Sequence, residues 1–170
     1  FKGIRFYSGS YNQIKKEFDK DGVLVAPAAS ALANIESDNT YYSSLKRSDI
    51  AILDSGFFCI LLRLFKFKSV EKLSGYKFLK IFLDEYVNKD KILFIDPSIK
   101  ANRINTKFLK LKKIFNYKTY IAPNYKKNFI DIKLIKFIKK YSPRYVVINI
   151  GGGSQEPLAI YIRKNLNYKI

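Results

Sequence analysis

The feature that most constrains this chain is the regular alternation of short apolar runs with longer amphipathic segments. The apolar runs are rich in β-branched and aromatic residues, and each is followed by Gly, Pro, Ser or Asp: GIRFY, GVLVA, DIAIL, KILFI, KTYIA and YVVINI. Strands that alternate with helices predict an α/β fold with a mostly parallel sheet of about six strands. Because the strands are largely apolar, we expect helices on both faces of the sheet.

The segments between the runs carry apolar residues at helical spacing. The clearest stripes are Ile130, Leu134, Phe137, Ile138 and Tyr141 in one segment, and Ile104, Phe108, Leu111 and Phe115 in a basic one. The segment SGFFCILLRLF, directly after the third run, predicts a buried helix. The length of 170 residues fits a single domain over residues 1–170, and neither a linker nor a repeat divides it.

The composition narrows the chemistry that this chain can perform. It has no His, which excludes His-based triads and His metal sites. Its single Cys59 excludes an internal disulfide, and we expect a buried thiol in a reducing, cytoplasmic setting. Acid–base chemistry then falls to Asp, Glu, Lys or Tyr. The longest apolar stretch, residues 50–67, contains charged residues and is not predicted to span a membrane.

The net charge of +18 points to an anionic partner. Nucleic acid is not the favoured one, because the lysines are scattered over helical faces and the abundance of Lys, Ile, Asn, Phe and Tyr is typical of an AT-rich genome. An anionic lipid surface or the phosphate of a nucleotide sugar fits at least as well.

Chemistry in a parallel sheet is expected at the carboxyl ends of the strands. The segment APAAS, with Ala26 and Ala28, follows the second run there. Asp54, Ser55 and Gly56 follow the third run. Asp54 is the sharpest candidate, because a partly desolvated carboxylate at a strand end suits a general base. The alternative is that Asp54 only caps the following helix.

The turn GGGSQE after the last run is the second candidate. Gly151, Gly152 and Gly153 precede Gln155 and Glu156, and Pro157 suits the first turn of a helix. Backbone N–H groups at a helix N-terminus can hold an anion, and a Gln side chain suits sugar hydroxyl groups. The turn lacks the spacing of a dinucleotide fingerprint or a P-loop, and a simple capped turn is the alternative.

Two weaker candidates complete the set. Ser74 and Gly75, in KLSGYKF, mark a loop or a helix start. Tyr125, in APNYKK, could stack on a base or a sugar, or could simply pack in the core.

These blocks together, in the order VLVAPAASALANIESDNTYYSSLKRSDIAILDSGFF, KLSGYKFL, YIAPNY and NIGGGSQEPLAIYI, resemble the WecG/TagA/CpsF glycosyltransferases, which form glycosyltransferase family 26. The resemblance covers roughly residues 23–162 and implies a Rossmann-like α/β fold. It implies inverting, metal-independent hexosyl transfer without a cofactor, from a UDP donor that is typically UDP-N-acetylmannosamine. It implies a polyprenyl-diphosphate-linked sugar acceptor at the inner face of the cell membrane, in the synthesis of capsule and other cell-envelope polysaccharides.

The resemblance also assigns residues. The family's aspartate falls on Asp54, the proposed base, and the family's glutamine falls on Gln155, near the donor sugar, with Glu156 beside it. Its glycine turn falls on Gly151 and Gly153, and an arginine–glycine loop falls near residues 72–75.

The chain departs from the family pattern at three places. Ala26-Pro27-Ala28 stands where the family has T-x-N, and Gly153-Ser154 stands where it has Pro-Lys. The family continues beyond the equivalent of Ile170, so we expect residues 1–170 to lack its C-terminal elements, which leaves the activity of this stretch open. A homo-oligomer also stays open. The alternative function is a non-catalytic basic α/β module that binds a nucleotide or RNA.

Overall fold

The computed structural model of the chain describes residues 2–7, 9–20, 22–33, 35–52, 54, 59, 73–86, 88, 90–125 and 129–166. They form two compact units, unit 1 up to Lys80 and unit 2 from Ile81. The helix predicted for residues 55–65 lies outside the described residues, except for Cys59, which is buried as expected. A single domain over residues 1–170 stays a prediction.

Unit 1 is built on a parallel sheet of three short strands, β1 Phe6–Tyr7, β2 Leu24–Val25 and β3 Ile50–Ile52, in the order β1-β3-β2. The helical segments described between its strands are α1 Tyr11–Phe18, α2 Ala29–Ala33, a 3₁₀ turn Ile35–Ser37 and α3 Asn39–Arg47. The central strand β3 is buried along its whole length. Because β3 is the central strand, its carboxyl end lies between those of β1 and β2.

The core of unit 1 forms on β3. Ile50 and Ile52 pack with Ile14 of α1 and with Leu73 and Phe78. Phe78 belongs to α4, Gly75–Glu85, which begins in unit 1 and continues into unit 2.

Unit 2 repeats this arrangement with longer strands. β4 Ile92–Asp96 lies between β5 Tyr117–Ile121 and β6 Tyr145–Ile148, and all pairs are parallel. Its helices are α5 Ile99–Leu111, α6 Ile132–Tyr141 and α7 Gln155–Leu166. The α/β class, the parallel pairing and the six predicted strands are all confirmed. The strands belong to two parallel sheets, one in each unit.

The helices of unit 2 cover both faces of its sheet. Leu93 and Ile95 point into a cluster with residues of α6 and α7, including Leu134 and Leu158. The alternate side chains of β4 are equally buried, and α5 packs against β4 and β5. This burial on both sides explains why β4 is an uninterrupted apolar run.

Side-chain oxygens cap the N-termini of several helices. They accept N–H groups of the first turn, which have no partner within the helix. Ser10 forms a capping box with Gln13 at α1, and Asp38 accepts the N–H of Tyr41 at α3. Ser98 and Asp131 do the same at α5 and α6. Each cap fixes where the chain turns from a strand or loop into a helix.

The apolar stripe of α5 behaves differently from that of α6. Leu134 and Ile138 of the predicted α6 stripe are buried, and Phe137 and Tyr141 pack against the same core, but Ile130 is 63% exposed. In contrast, Ile104 and Leu111 of α5 are exposed. Among the described residues, no helix is both long enough and apolar enough to cross a bilayer.

Candidate functional site

Asp54 lies just beyond the carboxyl end of β3 in unit 1. The backbone N–H of Gly75 donates to its Oδ1 over 3.2 Å, and the side chain is half-buried. Within the described part of the chain, Gly75 is the one hydrogen-bond donor to this carboxylate. A carboxylate that is oriented through one of its oxygens suits the role of a general base. The residues that would test the helix-cap alternative for Asp54 lie outside the described part.

Gly75 is fixed in place by a close approach to Ala26. A Cβ added at Gly75 would lie 2.7 Å from the Cβ of Ala26, a separation that real Cβ atoms do not show. Glycine is therefore required here, and its small size lets the backbone N–H reach Asp54. Three predicted site residues, Ala26, Asp54 and Gly75, are thus brought together in unit 1.

The other predicted residues of unit 1 have local roles. The Oγ of Ser74 accepts the N–H of Lys77 over 3.1 Å, which is the bond of a helix N-cap, so the helix-start alternative describes it. Ala28 is exposed, and its carbonyl oxygen accepts the N–H groups of Ala31 and Leu32 at the start of α2. Ser55 and Gly56 lie outside the described residues.

The glycine turn in unit 2 needs two of its three glycines. Gly151 and Gly153 have φ values of +99° and +86°, a region that residues with a Cβ rarely adopt. Gly152 has no positive φ and open space around it. The turn closes when Ser154 and Gln155 donate their N–H groups to the carbonyl of Gly151.

The anion at this helix N-terminus is the protein's own carboxylate. Glu156 is buried, and its Oε2 accepts the N–H of Gly153 over 2.8 Å. The half-buried Gln155 donates its side-chain N–H to the other oxygen over 3.3 Å. Desolvation raises the pKa of Glu156 above its usual value, although the bonds from its own backbone, Gly153 and Gln155 oppose this rise. The turn therefore offers a ligand fewer free N–H groups than the sequence predicts.

Tyr125 is 7% exposed, which fits the packing alternative. Its hydroxyl donates to Asp131 over 2.9 Å, and its ring lies 5.7 Å from that of Phe129. Tyr120 donates to the same carboxylate. Burial, followed by the hydrogen bond to Asp131, raises the pKa of Tyr120 to about 12 and raises the pKa of Tyr125 further. Both hydroxyls therefore stay protonated donors that hold Asp131 at the start of α6.

The sequence analysis missed Asp96 at the carboxyl end of β4. This carboxylate is 1% exposed and accepts side-chain N–H groups from three asparagines. Asn102 donates over 2.9 Å, Asn149 over 3.1 Å and Asn105 to both oxygens over 3.2 and 3.3 Å. Two signals were present: an Asp that closes a wholly apolar strand, and a pair of asparagines on one face of the following helix.

The comparisons with known proteins identify the family of the chain. No curated protein matches the chain significantly. A family model described as the glycosyl transferase WecG/TagA/CpsF family matches residues 3–170, nearly the whole chain. That span contains both the Asp54 arrangement of unit 1 and the Gly151–Glu156 turn of unit 2. The chain therefore belongs to the WecG/TagA/CpsF family of glycosyl transferases.

Proposed function

We propose that this protein is an inverting glycosyltransferase that moves an N-acetylhexosamine from a UDP donor to a lipid-linked sugar acceptor. The setting would be the synthesis of bacterial surface polysaccharide at the inner face of the cell membrane. The observation that carries the proposal is the carboxylate of Asp54, held through one oxygen by Gly75 in a member of this family. The other oxygen is the proton acceptor of the reaction.

The reaction is a single displacement at the anomeric carbon of the donor sugar. Asp54 takes the proton of the acceptor hydroxyl as its oxygen attacks that carbon, and the bond to the UDP oxygen breaks on the opposite face. A fixed orientation of the base lowers the activation barrier, because the reacting atoms need not be reordered to reach the transition state. The proton ends on Asp54 and the electron pair leaves with UDP, so the step needs no metal or organic cofactor.

The donor side is assigned to the glycine turn. Gln155 is half-buried, and because its N–H group faces Glu156, its carbonyl oxygen can accept a sugar hydroxyl. The two glycines at positive φ fix where α7, and therefore Gln155, begins. The charge of +18 stabilises the departing diphosphate and attracts both UDP and anionic lipid.

The proposal is tested by incubating the protein with a panel of UDP-sugars and a polyprenyl-diphosphate-linked sugar, and measuring the UDP released. We expect one N-acetylhexosamine donor to release UDP only when the acceptor is present. Release that is independent of the acceptor would indicate simple hydrolysis and contradict transfer.

Calorimetry separates the proposal from the binding-module alternative. We expect UDP to bind more tightly than UMP. Tight, strongly salt-dependent binding of single-stranded RNA without UDP binding would instead establish a basic nucleic-acid-binding module.

A further inference from the structure

The surface formed by α5 and the segment that follows it combines exposed apolar side chains with an unbroken positive charge. Ile104 is 65% exposed, Leu111 76% and Phe115 69%. Large apolar side chains that line up in water mark an interaction surface, whereas scattered ones do not. We call the face formed by Ile104, Phe108, Leu111 and Phe115 the α5 stripe.

Backbone hydrogen bonds hold the segment at Phe115, whose phenyl ring is exposed. Its N–H donates to the Oδ1 of Asn88 over 2.8 Å, and the amide of Asn88 donates back to the carbonyl of Lys113. The preceding Ile114 is fully buried. The chain thus anchors one side of this turn in the core and holds Phe115 outward.

The charged residues of the segment that carries the α5 stripe have a single sign. Every charged residue from Ile99 to Lys118 is a Lys or an Arg. Lys112 is paired with Asp84, while Lys107 and Lys110 are exposed. Lysines beside apolar side chains can bury their stems in a lipid interface and keep their ammonium groups at the headgroups.

A shallow depression adjoins the stripe at Phe115. It has a volume of about 790 Å³, and the described residues that line it include Lys110, Lys118 and Thr119 but no acidic residue. The lysine side chains at this depression, Lys110 and Lys118, supply cations that can pair with the phosphate of a lipid headgroup.

We propose that the α5 stripe and its basic rim dock on an anionic lipid bilayer. Apolar side chains flanked by cations are the combination that binds interfaces of anionic lipid. A second copy of this chain fits less well, because a symmetric contact would place the same basic rims against each other. RNA also fits less well, because bases could stack on Phe108 and Phe115 but not on Ile104 and Leu111, whereas all four side chains can enter a lipid interface.

This inference deepens the proposed function, since it gives the lipid-linked acceptor a surface through which the protein reaches it. The docking proposal depends on the proposed function only in that the acceptor is taken to be in the membrane. Vesicle binding is measured without any sugar transfer, so the failure of one proposal can be told from the failure of the other.

The first test is flotation of the protein with vesicles of phosphatidylglycerol and phosphatidylcholine, and with phosphatidylcholine vesicles alone. We expect binding to the anionic vesicles only. Leu111→Ser should lower the partition coefficient about tenfold, because burial of one large apolar side chain contributes roughly that factor. The matched control is Ile132→Ser on α6, which is 62% exposed but lies on the opposite face of the sheet. Equal losses in both variants would overturn the proposal.

The second test measures whether the α5 stripe itself enters the lipid. The chain has no Trp, so Phe115→Trp introduces a unique fluorophore. Its emission should shift to shorter wavelength on anionic vesicles and be quenched by lipids brominated in the acyl chain. Unchanged emission while the protein is bound would show that another surface docks. A dimer in light scattering that Leu111→Ser dissociates, or RNA that protects the fluorophore from a soluble quencher, would assign the stripe to a different partner.

Discussion

Asp54 in unit 1 and Asp96 in unit 2 occupy corresponding places and have opposite surroundings. Each lies at or just beyond the carboxyl end of the central strand of a three-stranded parallel sheet. Asp54 is half-buried and accepts one backbone N–H. Asp96 is buried and accepts amide N–H groups on both oxygens. Two carboxylates in corresponding positions therefore have different donors and different burial, which separates the proposed base Asp54 from Asp96, which organises the fold.

The largest expected effect is that of Asp54→Asn. Loss of a general base should lower kcat at least about 100-fold. The Asn oxygen can still accept the N–H of Gly75, so the free energy of unfolding should change by less than about 0.5 kcal/mol. Steady-state UDP release and urea unfolding measure the two quantities. Near-normal turnover would remove Asp54 from the role of base.

The same exchange at Asp96 should have the opposite profile. Asp96→Asn replaces one acceptor oxygen by an NH₂ group that faces other donors. We expect a loss of about 2–3 kcal/mol in the free energy of unfolding, as for hydrogen bonds to a charged group. The kcat per folded molecule should change little. A stable but inactive Asp96→Asn protein would break the contrast between the two carboxylates.

The surroundings of Asp54 could be predicted from the sequence and those of Asp96 could not, for a physical reason. Asp54 was identified because its neighbours in the chain, an apolar strand and a Ser-Gly pair, already indicate a strand end. The surroundings of Asp96 depend on Asn149, which is 53 residues away, and such a contact is set by tertiary packing. Tyr125 illustrates the same limit, because Asp131 determines that its hydroxyl points inward.

Helix periodicity had a similar limit. It predicted the stripes of α5 and α6 equally well, although Leu134 and Ile138 of α6 are buried whereas Ile104 and Leu111 of α5 are exposed. Spacing indicates that apolar residues share a face, but it does not say what covers that face.

Gly75→Ala tests how the Asp54 side of the comparison is built. The added methyl group would collide with Ala26, and overpacking of this kind costs about 1–3 kcal/mol. The shift of the Gly75 N–H should also lower kcat. The double variant Ala26→Gly with Gly75→Ala removes the opposing methyl group and should recover most of both losses. If the double variant is no better than the single one, the close approach of the two backbones is not the cause.

Gly153→Ala tests the turn that holds Glu156, a buried carboxylate in the first turn of α7. The positive φ of Gly153 should cost about 1–2 kcal/mol once a Cβ is present. Gly152→Ala is the matched control, because this neighbour has no positive φ and open space, and it should be neutral or slightly stabilising. Urea unfolding compares the two variants. Equal effects would mean that the turn tolerates an ordinary backbone at position 153.

The smallest expected effect is the pH dependence of stability contributed by Glu156. It tests how far burial, as opposed to hydrogen bonding, sets the pKa of a carboxylate in this fold. Its pKa is raised above the usual 4.5, mainly by desolvation. The folded state therefore holds the proton more tightly than the unfolded state. This contribution to stability is fully present below pH 4.5 and is lost as the pH rises through the folded-state pKa. Glu156→Gln removes it, so the variant should gain stability relative to the parent over that range. Urea unfolding at a series of pH values measures the difference between the two proteins. Parallel curves would mean that the hydrogen bonds from Gly153 and Gln155 offset the burial of Glu156 completely, and that donors outweigh desolvation at this site as well.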